Sequence, residues 1–373
     1  MFFKKYGRTI LKAELFLALS IFLVSFYIPI SSKAVNNIFY CLIALPVFLM
    51  LILSVDRKLV ISSKGAIYLT VALSFLGFVS FYDYSSLKPY LYIILLFYSL
   101  VIIDSHSFSV NRAYFFYSVF GFFVFVVALT DWAFRGGFSS LFRYSEFFGK
   151  DINPVYFSLM IVSGFLYFWV FHISSFLKSK SRFFYIFGFF AFLSLILICA
   201  VLFQSRSVLL GCAAFLVFYF VRENEYLLFG MVMIFLVITF LYLDISDIFL
   251  QRGLSYRTDI WLDAWLRLKD TCGLLQGCGD DKYLFLGKFY HPHSGYLSVL
   301  YEGGMLALGV LIIIVSSILW LGRKSSWVYL AVYGWASVIV TTSGVISSPQ
   351  PYWIYLWIPS FMAVIDSQRV VRS

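Results

Sequence analysis

Three short groups of residues carry the chemistry this sequence offers. Gln204, Ser205, Arg206 and Ser207 stand between two apolar runs. Tyr256, Arg257, Thr258, Asp259, Trp261 and Trp265 follow in a polar segment, with Arg257, Trp261 and Trp265 spaced four apart and so on one helical face. His291, Pro292, His293, Ser294, Gly295 and Tyr296 form the third group, trailed by Glu302, Gly303 and Gly304. A guanidinium offers a fixed fork of donors and keeps its charge at any relevant pH, so Arg206 and Arg257 suit a phosphate or diphosphate. A single imidazole at a helix start, close to arginines, is expected to have its pKa depressed by like charge. It would be neutral near pH 7 and suit a general base.

Each group also has a plainer reading. Arg206 can be a snorkelling residue that ends a span. Trp261 and Trp265 can belong to an interfacial aromatic belt, with Arg257 paired to Asp259 or another carboxylate. The histidines can simply cap the helix that follows. Pro292 keeps His291 and His293 from acting as a helical pair, and no Cys or carboxylate cluster completes a ligand set, so neither metal nor cofactor is expected. Gly277, Cys278 and Gly279 are a weak turn signal ahead of Asp280 and Asp281. Cys272 and Cys278 are close enough in sequence for a disulfide in an oxidising compartment. Cys41, Cys199 and Cys212 fall in apolar runs and read as small packing residues.

The elements that must position these groups follow from composition. Of 373 residues, 62% are hydrophobic and 12% charged, with 45 Phe, 27 Tyr and 9 Trp. Soluble globular, disordered, coiled-coil and collagen-like classes are excluded by those proportions. Spanning about 30 Å of hydrocarbon takes roughly 20 apolar residues per helix. Runs of that kind lie near 12–30, 36–55, 65–82, 87–103, 113–130, 154–173, 183–203, 207–221, 226–243, 295–320, 327–346 and 352–366. The expectation is therefore an all-α polytopic membrane protein of about twelve spans, with both termini on one side. Residues 1–34 read as an uncleaved first helix, because the apolar core is too long for a secretion signal.

Inner segments of this topology carry sixteen of the 28 basic residues, and the short outer loops carry six. That bias puts the termini in the cytoplasm. It also accounts for most of the net charge of +10. The cations are dispersed over loop ends instead of sharing a face, so nucleic acid is not an expected partner. Two outer segments stand out, near 131–153 and 244–293. The second contains an amphipathic stretch from Tyr256 to Lys269, with Ile260, Leu262, Ala264, Trp265 and Leu268 as its apolar residues, suited to lie on the membrane or cap a cleft. Span centres are nearly free of charge, Glu14 lying close to the inner interface. That argues against a transporter with a charged midplane site.

In this order, Gln-Ser-Arg at 204–206, Arg-x-x-x-Trp at 257–261 and His-Pro-His-Ser-Gly-Tyr-Leu at 291–297 before Glu302-Gly303-Gly304 resemble the O-antigen ligase and polymerase superfamily. Ser294 departs from the pattern, since many members carry Asn after the histidine. The resemblance implies a GT-C-like fold: one integral membrane domain over 1–373, with 244–293 a periplasmic loop of amphipathic helices that forms part of the active site. It implies a metal-independent, inverting glycosyltransferase of the Gram-negative inner membrane. Its donor would be an undecaprenyl diphosphate-linked glycan and its acceptor a sugar hydroxyl of the lipid A-core. Arg206 and Arg257 would bind the diphosphate and stabilise its departure, and His293 would deprotonate the acceptor. Tyr256, Trp261, His291 and Ser294 would add substrate contacts. The single dominant outer loop ahead of the histidine motif, with no second large Arg-rich loop, favours ligase over a polymerase joining lipid-linked repeat units. A lipid-linked glycan flippase is the alternative of another class.

Overall fold

The computed structural model describes residues 2–52, 64–80, 84–104, 109–137, 142–242, 256–279, 281, 283–341 and 344–370. The expected Arg57, Lys58, the loop start at 244–255 and Asp280 lie outside those residues. The helices are α1 (Phe2–Ser25), α2 (Ser32–Ile52), α3 (Lys64–Val79), α4 (Tyr84–Asp104), α5 (Val110–Phe134), α6 (Pro154–Lys180), α7 (Arg182–Phe203), α8 (Arg206–Glu223) and α9 (Tyr226–Tyr242). They continue with α10 (Arg257–Arg267), α11 (Gly295–Leu321), α12 (Trp327–Ser337) and α13 (Ile358–Val370). Two-residue strands β1 (Glu146–Phe147) and β2 (Lys150–Asp151) pair antiparallel. Every one of the twelve apolar runs holds a helix, and among the described residues six helices are long and apolar enough to cross a membrane.

Large apolar side chains face outward along these helices, among them Phe78, Phe183, Leu227 and Ile234. An apolar exterior of this extent is what a bilayer requires and water does not tolerate. The chain is thus an all-α membrane protein. Its interior is aromatic: Trp169, Trp327, Trp353, Trp357, Tyr117 and Tyr333 are fully buried. Buried phenols donate to backbone carbonyls, Tyr117 to Met160 at 2.6 Å and Tyr333 to Leu159 at 3.2 Å. Those bonds tie α5 and α12 to α6 where an unmade bond would be costly. Cys199 and Cys212 are buried as expected of packing residues, whereas Cys41 is exposed on the bundle surface.

One helix carries the site from end to end. α8 packs along α12, where a side chain at Gly211 would run into Tyr333 and Ser337. Its far end is clamped by charge: Glu223 meets Lys178 at 3.0 Å and accepts from Tyr329 at 2.6 Å, and Arg222 lies over the Tyr329 ring. Arg182 holds Glu225 at 2.7 Å in the next turn of chain. The clamp joins α6, α7, α8 and α12 at the end opposite Arg206.

One expectation needs correction. The run at 327–346 is helical only to Ser337, where Val338 caps the helix and turns and bends follow over 338–341. The freed Val338 carbonyl accepts from Gly295 N at 2.8 Å, stitching this bend to the start of α11. The amphipathic stretch also divides its apolar residues between two faces. Ile260 and Ala264 are buried against Tyr283 and Tyr301 and Leu268 is buried too, whereas Leu262 and Trp265 are exposed. One α-helix and a wide closing turn at Leu268–Cys272 make up the described part of this stretch.

Candidate active site

A cavity of about 620 Å³ opens where α6, α8, α10 and α11 begin. Arg143, Asn153, Tyr156, Gln204, Arg206, Ser207, Arg257, His291, His293 and Thr341 line it together with Ile152, Pro154, Val155 and Val340. Three guanidiniums and two imidazoles share this space, and no Asp or Glu is among the described lining residues. The first residues of α6, α8 and α10 are among the lining, and helix N-termini favour an anion.

Each functional side chain is set by a turn immediately ahead of a helix. Gln204 closes α7 in the left-handed region (φ 47°), and Ser205 returns to extended backbone, so only two residues separate α7 from Arg206 at the first position of α8. Tyr256 is left-handed at φ 57° and places Arg257 at the first position of α10. His293 is left-handed at φ 55°, directly before Ser294, which caps α11. Such backbone costs about 1–3 kcal/mol per residue and persists where the surroundings over-determine it, commonly at functional sites.

The histidine loop is held from both sides. Trp261 Nε1 donates to Pro292 O at 2.9 Å, tying α10 to the loop. His293 N donates to His291 Nδ1 at 3.3 Å, and the two rings lie 4.1 Å apart. Phe289 stands edge-on to His293 at 5.7 Å. Burial pushes the His293 imidazole down to about 4, with His291 and Arg257 adding positive charge beside it. Burial likewise lowers His291. The expected depression therefore occurs, but desolvation is its main cause and like charge is secondary.

The other candidate contacts lie elsewhere. Ser294 is buried, accepts from Leu297 N at 3.3 Å, and does not line the cavity. Tyr256 is exposed and rests against Phe289. Trp261 reaches the site through Pro292. The Gly303-Gly304 pair has a structural duty. Gly304 breaks α11 with φ 69° and ψ −168°, exposing carbonyls that the preceding loop takes up: Cys278 N donates to Tyr301 O at 2.6 Å and Gly279 N to Glu302 O at 3.0 Å. Cys272 and Cys278 are joined by a disulfide that closes this loop.

Sequence reasoning missed Arg143, which it treated only as an outer-loop cation. Its Nε donates to Phe203 O at 3.0 Å, Tyr144 N donates to Leu202 O at 3.0 Å, and Trp132 Nε1 donates to Phe142 O at 2.8 Å. These bonds lay residues 142–144 on the end of α7. No spacing or periodicity announces such an arrangement; its place in an outer segment was the one available signal.

No family model and no solved structure matches the chain. A curated protein named O-antigen ligase from Pseudomonas aeruginosa strain PAO1 is 28% identical over 144 residues, covering 35% of this chain and 36% of that protein. The match thus spans about a third of the relative's length, and over that third the chain is similar to it. The suspected kinship with the O-antigen ligase family is supported by this curated homologue as well as by the order of the three motifs.

Proposed function

We propose that the protein transfers a glycan from an undecaprenyl diphosphate carrier to a sugar hydroxyl of lipid A-core, as an O-antigen ligase, at a site facing the periplasm. One observation carries the reading: Arg206, Arg257 and His293 line a single cavity that holds a third arginine and no carboxylate among its described residues. An anion with two phosphates suits such a space, and a carboxylate-pair glycosidase mechanism does not. The disulfide at Cys272 supports an oxidising side for the cavity, and the bias of basic residues supports the same orientation.

The reaction is a single displacement. The acceptor oxygen attacks the anomeric carbon as the bond to the diphosphate breaks, and the leaving oxygen departs with the electron pair. Arg206 and Arg257 meet the charge that develops there, an electrostatic role a metal fills in other transferases. His293 takes the acceptor proton. Its low proton affinity in the unliganded site keeps it neutral; the donor's negative charge then offsets Arg257 and makes it a stronger base once the donor is bound.

Lipopolysaccharide from a strain lacking the protein, run beside strains restored with the wild type and with His293→Ala, tests this. Bare lipid A-core in the null strain, with long polymer retained on its carrier, is the expected result, and the His293→Ala copy should not restore it. Core bearing one repeat unit would mean polymerase. Lipid-linked glycan stranded on the cytoplasmic side would mean a flippase.

A further inference from the structure

Helix α8 starts with two buried hydroxyls that the fold leaves without a hydrogen bond. Ser205 occupies its N-cap, yet its hydroxyl caps no amide, while the first-turn N–H groups of any helix lack intrahelical partners. Arg206 sits at the first helical position and lines the cavity. Ser207 is 1% exposed and lines the cavity, and its Oγ has no hydrogen-bond partner. A buried hydroxyl without a partner is costly and calls for an explanation. The neighbouring starts differ. Asn153 accepts from Val155 N and Tyr156 N at the head of α6, and Ser294 accepts from Leu297 N at the head of α11. α10 has no side-chain cap either, but its Thr258 is exposed.

We propose that the start of α8 is a phosphate subsite in which the Ser207 hydroxyl and the first-turn amides bind one phosphate of the donor, beside the Arg206 guanidinium. The assignment rests on the diphosphate-linked donor proposed above and adds the group that fixes where one phosphate sits. A guanidinium on a flexible stem supplies charge, whereas a buried hydroxyl beside oriented amides supplies position. Ser207 Oγ would donate to a phosphate oxygen, and no bond to Ser207 forms in the reaction.

Titration calorimetry of inorganic pyrophosphate into the full-length protein in detergent tests the subsite, with thermal unfolding measured on the same samples. Ser207→Ala should weaken pyrophosphate binding about tenfold, in line with loss of a hydrogen bond to a charged group. Its Tm should be unchanged or higher, because the hydroxyl bonds nothing within the fold. Ser205→Ala is the control: Ser205 Oγ is equally buried and unpartnered but does not line the cavity, so affinity should stay at the wild-type value. Wild-type binding with an unchanged Ser207→Ala affinity would overturn the subsite and leave the donor reading standing. A Tm that falls in step with affinity would make Ser207 structural and also overturn it. Equal losses in both serine variants would remove the assignment to Ser207. No pyrophosphate binding by the wild type would overturn the donor reading itself, and the subsite with it.

Discussion

Trp261 Nε1 donates to Pro292 O at 2.9 Å, so the helix that carries Arg257 is tied directly to the loop that carries His293. In the displacement proposed above, the cation for the leaving group and the base for the nucleophile must keep a fixed separation, and this bond links the elements that carry them. Trp261→Phe keeps the ring and removes the donor. Its expected effect is a kcat about tenfold lower with donor KM little changed, from one lost buried hydrogen bond and the looser geometry that follows. Steady-state transfer in proteoliposomes checks it; an unchanged kcat would deny Trp261 a positioning role.

The low proton affinity of His293 gives the reaction a pH signature. A base works only when unprotonated, and burial holds this imidazole at about 4. kcat/KM, which reports the free enzyme, should therefore stay flat as pH falls from 8 to about 5 and drop only near 4. With donor bound, the added negative charge raises the imidazole pKa, so the acidic limb of kcat should lie at higher pH than that of kcat/KM. A kcat/KM limb near the ordinary 6.5 would mean that His293 is not the base or is not buried in solution. The same depression acts on stability. Between about 6.5 and 4 the unfolded chain binds a proton that the folded site refuses, so stability falls as pH falls through that window.

Arg143 should behave as a donor-binding residue whose position depends on its backbone bond. Arg143→Ala removes one of three guanidiniums from the cavity and is expected to raise donor KM about tenfold, more at low ionic strength than at high. Arg143→Lys keeps the charge but loses the fork that reaches Phe203 O, so it should restore binding only in part. Full recovery by lysine would show that charge alone suffices.

The sequence discloses the parts of the molecule that depend on local chemistry. Run length against bilayer thickness located a helix in each apolar run, and Arg206, Arg257, His291 and His293, which the motifs single out, line one cavity. What escaped it depends on contacts between distant segments. Arg143 reaches the cavity through bonds to the end of α7, sixty residues along the chain. The helix after Trp327 stops at Ser337, in a stretch whose hydropathy reads as a continuous span. Burial of the His293 ring sets its proton affinity more than its charged neighbours do, and burial is a property of the assembled site.

Gly304 links the disulfide loop to the site, and its substitution should expose that link. At φ 69° and ψ −168° the residue occupies backbone open almost only to glycine. A side chain there would strike Leu275 O and the Gln276 amide, which are backbone atoms with no freedom to swing away. The loop also depends on the bend that Gly304 makes, since Met305 N donates to Leu274 O at 2.8 Å while the Tyr301 and Glu302 carbonyls receive Cys278 and Gly279. Gly304→Ala should therefore cost about 1–3 kcal/mol of stability through backbone strain and displace the 273–279 loop from α11. That loop precedes the histidine segment, and its Cys278 packs on the cluster that Tyr283 and Tyr301 form with Ile260 of α10, so activity should fall with it. Reducing the Cys272–Cys278 disulfide frees the same loop without straining α11 and should produce a smaller loss. Thermal unfolding with and without reductant, beside transfer rates for both samples, separates the two: a Gly304→Ala protein as stable and active as wild type would mean that the bend does not hold the site.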